Sequence, residues 1–302
     1  MPEETMIKNF DELLDAVRGR RNSTVCVAGA EDPDTVSIVN ECRDIANFIL
    51  IGNAKEIESL IRKAGVRFEG TIIDRPDHAA AAEEAVALVK SGKAQNLMKG
   101  LMHSGTFLKA ILNKEKGLNK GRLISQISVF ENPVREGLQL LTDCAINIAP
   151  TLPEKKEIVE NAVELARALG YERPKVALLA AVEVVNPEMQ TTLDAAALSK
   201  MAERGQIKNA VVDGPLAFDN AVSPEAAGHK GIESPAAGYA DVLVVPNLEV
   251  GNTLTKALTF WAKRRVAAAM MGVGTPVIFT SRAESLENKV LTVALASYLS
   301  SR

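Results

Sequence analysis

Cysteine is scarce in this 302-residue chain: Cys26, Cys42 and Cys144 stand far apart, with no Cys-x-x-Cys pair. An odd count at such spacing argues against a disulfide framework and fits a reducing compartment, with the cytosol as the default. Aromatic residues are only 4% while hydrophobic residues reach 47%, so Ala, Val, Leu and Ile carry the apolar content. That balance suits alanine-rich helices on Val/Ile-rich strands and argues against an all-β sandwich. No basic block appears, because 35 Lys/Arg are mixed with 38 Asp/Glu for a net charge of −3. Nucleic acid and anionic membranes therefore find no support as partners. No uninterrupted apolar run is long enough to span a bilayer, and the acidic start Met1 to Lys8 lacks the apolar core of a secretory signal.

Several chemistries are missing as well. The histidines His78, His103 and His229 have no helical or turn spacing to cysteine, so a protein-built metal site is not expected. Gly272-Val-Gly274 precedes a strand pattern and lacks a third glycine, which disfavours a dinucleotide site. Gly100 to Gly105 imitates half a P-loop, but Thr106 stands where lysine is required. There is no Gly-x-Ser-x-Gly elbow. Cys144, read as part of an apolar strand Cys144 to Ile148, is expected to be a small buried residue and not a nucleophile.

What is present is a rhythm of short apolar strands and amphipathic helices. Strands are expected at Thr24–Ala28, Phe48–Ile51, Thr71–Asp74 and Gln95–Met98, with helices at Asp34–Asp44, Lys55–Ala64, His78–Lys90 and after Gly105. A polar stretch at Lys114–Arg122 interrupts the rhythm, and strands restart at Leu123–Phe130, Val176–Ala180, Ala210–Val212, Val242–Val245 and Pro276–Thr280. The alternation indicates α/β units on a buried, mostly parallel sheet, with a domain boundary near residue 120. Ligands of such sheets bind beyond the carboxyl ends of the strands, so the strand-to-helix turns are the segments to search.

Four such turns carry chemistry. After the strand ending near Met98, Ser104 and Thr106 stand at an expected helix start between Lys99 and Lys109, where free amides and the helix dipole favour an anion. An ordinary helix cap explains the same residues equally well. Thr280-Ser-Arg-Ala-Glu284 joins the last strand to the last helix; Arg282 offers a two-pronged phosphate contact and Ser281 a hydroxyl for developing oxyanion charge. Asp213-Gly-Pro215 is a turn, but turn chemistry does not explain the further pair Asp219-Asn220 beside Phe218. Gly251-Asn252 opens one more helix after a strand end.

Taken in order, Lys99-Gly-Leu-Met-His103, Thr142-Asp-Cys-Ala-Ile-Asn-Ile-Ala-Pro150, Ala181-Val-Glu-Val-Val-Asn-Pro187, Val212 to Ser223, His229-Lys-Gly-Ile232 and Thr280-Ser-Arg282 resemble the phosphate acetyl/butyryltransferase family. The second string and Asp219-Asn-Ala-Val-Ser223 are closer to the butyryl branch. The resemblance implies two three-layer α/β domains with an interdomain cleft, similar to isocitrate/isopropylmalate dehydrogenases. Residues 1–120 plus 267–302 would form the first domain and 121–266 the second. It also implies a homodimer or larger homo-oligomer, no metal, and no cofactor beyond coenzyme A as a substrate. The implied reaction passes an acyl group between acyl-CoA with inorganic phosphate and acyl phosphate with CoA. Ser281, Arg282 and Glu284 are the catalytic expectations. Lys99, His103, Ser104, Thr106, Lys109, Asp213, Asp219, Asn220 and Asn252 are the expected substrate contacts. One departure concerns the base: the family's acetyl branch has a carboxylate seven residues after the serine, where this chain has Asn288. Glu284, placed in the first turn of the closing helix, is the substitute considered. A phosphate acetyltransferase, or a CoA- or acyl-phosphate-binding protein without turnover, remains the alternative.

Overall fold

Val25, Cys26, Val27 and Ala28 have no solvent exposure at all. A run buried on both faces is what a parallel sheet covered by helices on each side demands. The computed structural model describes residues 6–119 and 121–301. It divides into two compact units, one of Phe10–Arg122 with Val266–Arg302, the other of Leu123–Arg265 with the described residues before Phe10.

The first unit begins with α1 (Phe10–Val17), β1 (Thr24–Ala28), α2 (Pro33–Glu41), β2 (Asn47–Gly52), α3 (Ala54–Ala64), β3 (Thr71–Asp74), α4 (His78–Lys90), β4 (Asn96–Lys99) and α5 (Ser104–Ile111). The second unit holds β5 (Ser125–Glu131), β6 (Leu138–Thr142), α6 (Leu152–Ala168), β7 (Lys175–Leu179), α7 (Gln190–Glu203), β8 (Val211–Leu216), α8 (Phe218–Val222), α9 (Pro224–His229), β9 (Val242–Val244) and α10 (Leu248–Lys256). A π-helical turn, Ala257–Trp261, extends α10, and the chain returns to the first unit as β10 (Val266–Met271), β11 (Val277–Ile278) and α11 (Leu286–Ser300). Helix starts are written locally. Asp77 accepts the Ala80 amide at 2.8 Å to begin α4, and Thr151 with Glu154 forms a reciprocal capping box on α6.

The strand order of the first unit is β3-β2-β1-β4-β11-β10. All neighbours are parallel except β10, which faces β11 antiparallel with Met270 opposite Val277. The chain lays β1, β2 and β3 outward in one direction, then crosses back to place β4 on the other side of β1. Such a reversal opens a crevice at the carboxyl ends of the two central strands. In the second unit the order is β5-β6-β9-β7-β8, with β6, β9, β7 and β8 parallel and β5 antiparallel to β6. Here β8 is added outside β7 and β9 on its other side, so the reversal falls between β7 and β9.

The expected strand Cys144–Ile148 is not one; β6 ends at Thr142 and residues 143–150 form a loop. The cause is Asp143, whose carboxylate accepts the amides of Ala145 (2.9 Å), Ile146 (3.2 Å) and Asn147 (3.0 Å), curling the backbone out of an extended path. β10 has the sequence Val-Ala-Ala-Ala-Met-Met, mostly good helix formers, and is a strand because its neighbours bury it.

Candidate active site

At the first unit's reversal, the loops after β1 and β4 lie against each other backbone to backbone. The Gly100 amide donates to the Ala28 carbonyl at 2.9 Å and the Leu101 amide to the Gly29 carbonyl at 2.6 Å. A methyl group on Gly100 would overlap the Gly29 carbonyl oxygen, so only glycine permits this approach. The packing holds Lys99 at the strand end, where its ammonium donates to the carbonyls of Gly100 (3.1 Å) and Met102 (3.4 Å) and lies 5.8 Å from the Phe279 ring centre.

A shallow cleft at this point is lined by Asp32, Asp34, Thr35, Lys99, Ser281, Arg282 and Lys289, among others. Burial lowers the Lys99 pKa from the usual lysine value, and the nearby Arg282 charge lowers it further, while Asp32 works in the opposite sense. Two cations thus face one small space. Arg282 is exposed, and its guanidinium makes no hydrogen bond or ion pair among the described residues. Its turn is held from beneath by Lys289, a buried lysine that pairs with Asp34 at 2.7 Å and reaches the Arg282 carbonyl at 3.5 Å. Such an arrangement presents a forked donor beside a second positive charge, the chemistry of a phosphate or acyl-phosphate site.

Ser281 and Glu284 share the turn. The Glu284 carboxylate accepts the Ser281 amide at 3.2 Å, and the Ser281 hydroxyl accepts the Ala283 amide at 3.3 Å. Glu284 precedes the closing helix instead of lying in its first turn, because Ser285 is the N-cap, accepting the Asn288 amide. Burial raises the Glu284 carboxyl above the usual carboxylate range, against lowering by the Ser281 amide and the Lys289 charge. Asn288 is buried, and its side-chain oxygen accepts the Val266 amide at 3.1 Å, which ties α11 to the start of β10.

The start of α5 also differs from the expected cap. His103, not Ser104, occupies the N-cap, and no side chain bonds to the first-turn amides. Ser104 and Thr106 are the first and third helical residues. Those amides are left open to a ligand in a way that a capped helix would not allow. Thr106 and Lys109 line a groove of about 790 Å³ between α4 and α5, floored by Ala79, Ala87 and Ala110.

In the second unit, Asp219 and Asn220 are the second and third residues of α8. Asn220 is fully buried; its amide nitrogen donates to Glu183 at 3.2 Å, and its side-chain oxygen has no partner. Lys230 donates to the same Glu183 oxygen at 3.0 Å and lies 3.9 Å from Asp219. Its hydrogen bond to Lys230 holds the Glu183 carboxyl below the usual carboxylate range. Asn252 donates to the Cys144 carbonyl at 3.2 Å, so it fastens α10 to the loop after β6. Asp213 is not with this group: it lies within β8 and lines a hollow with Ser199, Lys200 and Glu203.

These two clusters can be compared with known proteins. The profile of the family described as phosphate acetyl/butaryl transferase matches residues 78–297. A phosphate butyryltransferase of Clostridium acetobutylicum is 46% identical over 295 residues, covering 97% of this chain and 98% of that protein. The chain belongs to this family. The structure of a branched-chain phosphotransacylase from Enterococcus faecalis V583 superposes with a TM-score of 0.82 at 37% identity, over 92% of this chain and 99% of that one. A 4-hydroxythreonine-4-phosphate dehydrogenase from Klebsiella pneumoniae, 14% identical, superposes with a TM-score of 0.54 over 92% of this chain and 99% of that one. That likeness extends to the dehydrogenase-type fold alone.

As a phosphate acyltransferase of this family, the chain carries three residues in its clusters that motif reading passed over. Glu183 and Lys230 stand inside the strings that carry the family likeness, which was the available signal. Lys289 had none, since a lysine in a helix start reads as solvated. Burial pushes the Cys144 thiol up to about 11 and Cys26 to about 12, so these thiols are poor nucleophiles at neutral pH. No helix among the described residues is long and apolar enough to cross a membrane.

Proposed function

We propose that the protein interconverts acyl-CoA plus inorganic phosphate and acyl phosphate plus CoA, with butyryl-sized groups as its acyl class. The observation that carries this reading is the convergence of Lys99 and Arg282 at the first unit's strand reversal, beside the uncapped start of α5. In the synthetic direction the CoA sulfur attacks the acyl carbonyl carbon as its proton passes to a base. A carbon–sulfur bond forms, the carbon–oxygen bond to phosphate breaks, and phosphate leaves. Arg282, Lys99 and the amides near Ser104 and Thr106 stabilise the charge on that leaving group. Ser281 donates to the carbonyl oxygen, and His103 flanks the same helix start. The groove by Lys109 has the volume of a ligand pocket and takes the nucleotide end of CoA. Asp219, Asn220 and Asn252 are assigned to substrate contact or to holding the loops that make it; Asp213, which faces a separate hollow beside β8, is not. Because a thiol with an ordinary pKa near 8.5 is only partly ionised at pH 7, modest base assistance suffices. No covalent acyl-enzyme is needed, and transfer is direct.

Glu284 is assigned as the base. Its raised pKa brings it closer to the working pH than an ordinary carboxylate, which favours proton acceptance. The same shift sets a linkage sign. The folded protein binds this proton more tightly than the unfolded chain does. Glu284 therefore contributes stability that is full below the unfolded pKa of about 4.3 and is lost as pH rises through the folded value. Glu284→Gln is expected to melt higher than wild type at neutral pH, with the gain vanishing near pH 4. In the same variant kcat is expected to fall about 10²-fold and the acidic limb of the rate profile to disappear. An unchanged limb with wild-type turnover would remove Glu284 from the mechanism.

The reading as a whole is tested by phosphate-dependent CoA release from acetyl-, butyryl- and hexanoyl-CoA. Highest kcat/KM with butyryl-CoA is expected; a maximum at acetyl-CoA makes it an acetyltransferase, and binding without release makes it a non-catalytic binder.

A further inference from the structure

Lys99 holds a primary amine at the carboxyl end of β4, half-buried, on the wall of the cleft that also presents Ser281 and Arg282. The amine is fixed in place. It donates to the carbonyls of Gly100 at 3.1 Å and Met102 at 3.4 Å, and the Phe279 ring centre lies 5.8 Å away. Two charges act on it, Arg282 from the turn before α11 and Asp32 from the loop after β1. Asp34 and Lys289 line the same cleft but pair with each other at 2.7 Å, and the Glu284 carboxylate is engaged by the Ser281 amide. Burial and the Arg282 charge lower the Lys99 pKa, against Asp32, so more of this amine is neutral than in a solvated lysine. Of a solvated lysine only about one molecule in a thousand is neutral near physiological pH.

An acyl phosphate is a reactive acyl donor whose carbonyl carbon is joined to phosphorus through a single oxygen. A lysine placed to hold the phosphoryl oxygens is therefore within reach of that carbon, and such held proximity accelerates attack. With CoA bound, the thiol takes the acyl group. Without it, Lys99 is the amine left beside the donor. We propose that Lys99 is a self-acylation site: when CoA is absent it accepts the acyl group of acyl phosphate bound beside Arg282, and the enzyme switches itself off. The Nζ lone pair attacks the carbonyl carbon and a carbon–nitrogen bond forms. The carbon–oxygen bond to phosphate breaks, and the amine proton leaves with the phosphate as hydrogen phosphate. The resulting amide is uncharged, so the cleft loses one of the two cations that stabilise phosphate. This role rests on the acyltransfer reading above and adds a modification that shuts the reaction down.

The test incubates wild-type protein with butyryl phosphate in the absence of CoA and follows acylated lysines by peptide mass spectrometry. Lys99 is expected to be acylated at least about tenfold faster than Lys55 and Lys93, which are exposed on the same unit. Turnover assayed afterwards with CoA should fall in step with Lys99 occupancy, to about one-hundredth of the starting rate at full occupancy. Inorganic phosphate, which competes for Arg282, should slow the labelling. Lys99→Arg keeps a positive charge without a nucleophilic amine, and its residual turnover is expected to survive the same incubation. The wild-type labelling decides the matter whether or not that variant is active. Labelling of Lys99 no faster than of Lys55 and Lys93, or labelling without loss of turnover, overturns self-acylation while leaving acyl transfer intact. So does inactivation of an active Lys99→Arg variant at the wild-type rate. Equal labelling by butyryl-CoA without phosphate makes the thioester the donor and also overturns it. If fresh wild-type protein passes no acyl group from butyryl phosphate to CoA, the acyltransfer reading falls and self-acylation falls with it.

Discussion

Replacing Arg282 by alanine is expected to lower kcat/KM for phosphate and for acyl phosphate by about 10²–10³-fold, or about 3–4 kcal/mol of transition-state stabilisation. The side chain is exposed and makes no hydrogen bond or ion pair among the described residues, so folding does not depend on it. Its loss should leave the melting temperature nearly unchanged. CoA binding measured by calorimetry should change far less than phosphate use. Arg282→Lys is expected to recover only part of the rate, because an ammonium beside Lys99 restores charge without the two-pronged geometry. Alanine-variant kinetics matching wild type would show that the cleft lined by Lys99, Ser281 and Arg282 is not where phosphate reacts.

Gly100→Ala should act through the scaffold. Its new methyl group meets the Gly29 carbonyl oxygen, and neither partner can yield, since both loops are fixed by amide–carbonyl bonds at 2.6 and 2.9 Å. Overpacking against backbone at this point is expected to destabilise the fold by about 3 kcal/mol. The protein that remains folded should bind phosphate more weakly, because Lys99 and the start of α5 both depend on this contact. Gly105→Ala is the matched control, as its added methyl group meets nothing within 4 Å and alanine is the better helix former. Denaturant melts of the two variants decide the matter. Equal midpoints for Gly100→Ala and wild type would mean the loops separate freely and the glycine contact has no structural role.

Local elements were legible because their signals are local. β3 at Thr71–Asp74 and α4 at His78–Lys90 have the bounds expected of them, set by Asp77 as a cap and by an unbroken alanine face. The turn carrying Ser281 and Arg282 was legible too, since strand, hydroxyl, arginine and helix follow one another in sequence. Placement within such turns was not. Ser104 was expected to cap α5, but His103 holds that position; Glu284 was expected inside α11, but Ser285 begins it. One residue of displacement changes which amides are free, and sequence periodicity does not reach that precision. The apolar run Cys144–Ile148 suggests a strand, whereas the carboxylate of Asp143 gathers the amides that a strand would need.

By itself the sequence determined the α/β class, the turns where chemistry is concentrated, and membership of a family of phosphate acyltransferases, through residues that are neighbours or nearly so along the chain. Tertiary structure alone decided that Lys99 and Arg282 share a cleft, that buried Lys289 pairs with Asp34 and reaches the arginine's carbonyl, and that half-buried Glu284 is desolvated enough for its pKa to rise. It also decided that β10, made of helix-forming residues, is a strand. The physical reason is the same in each case. Charge coupling, desolvation and strand pairing depend on distances through space, and those exist only once β4 and β11 have paired and placed residues remote in sequence a few ångströms apart.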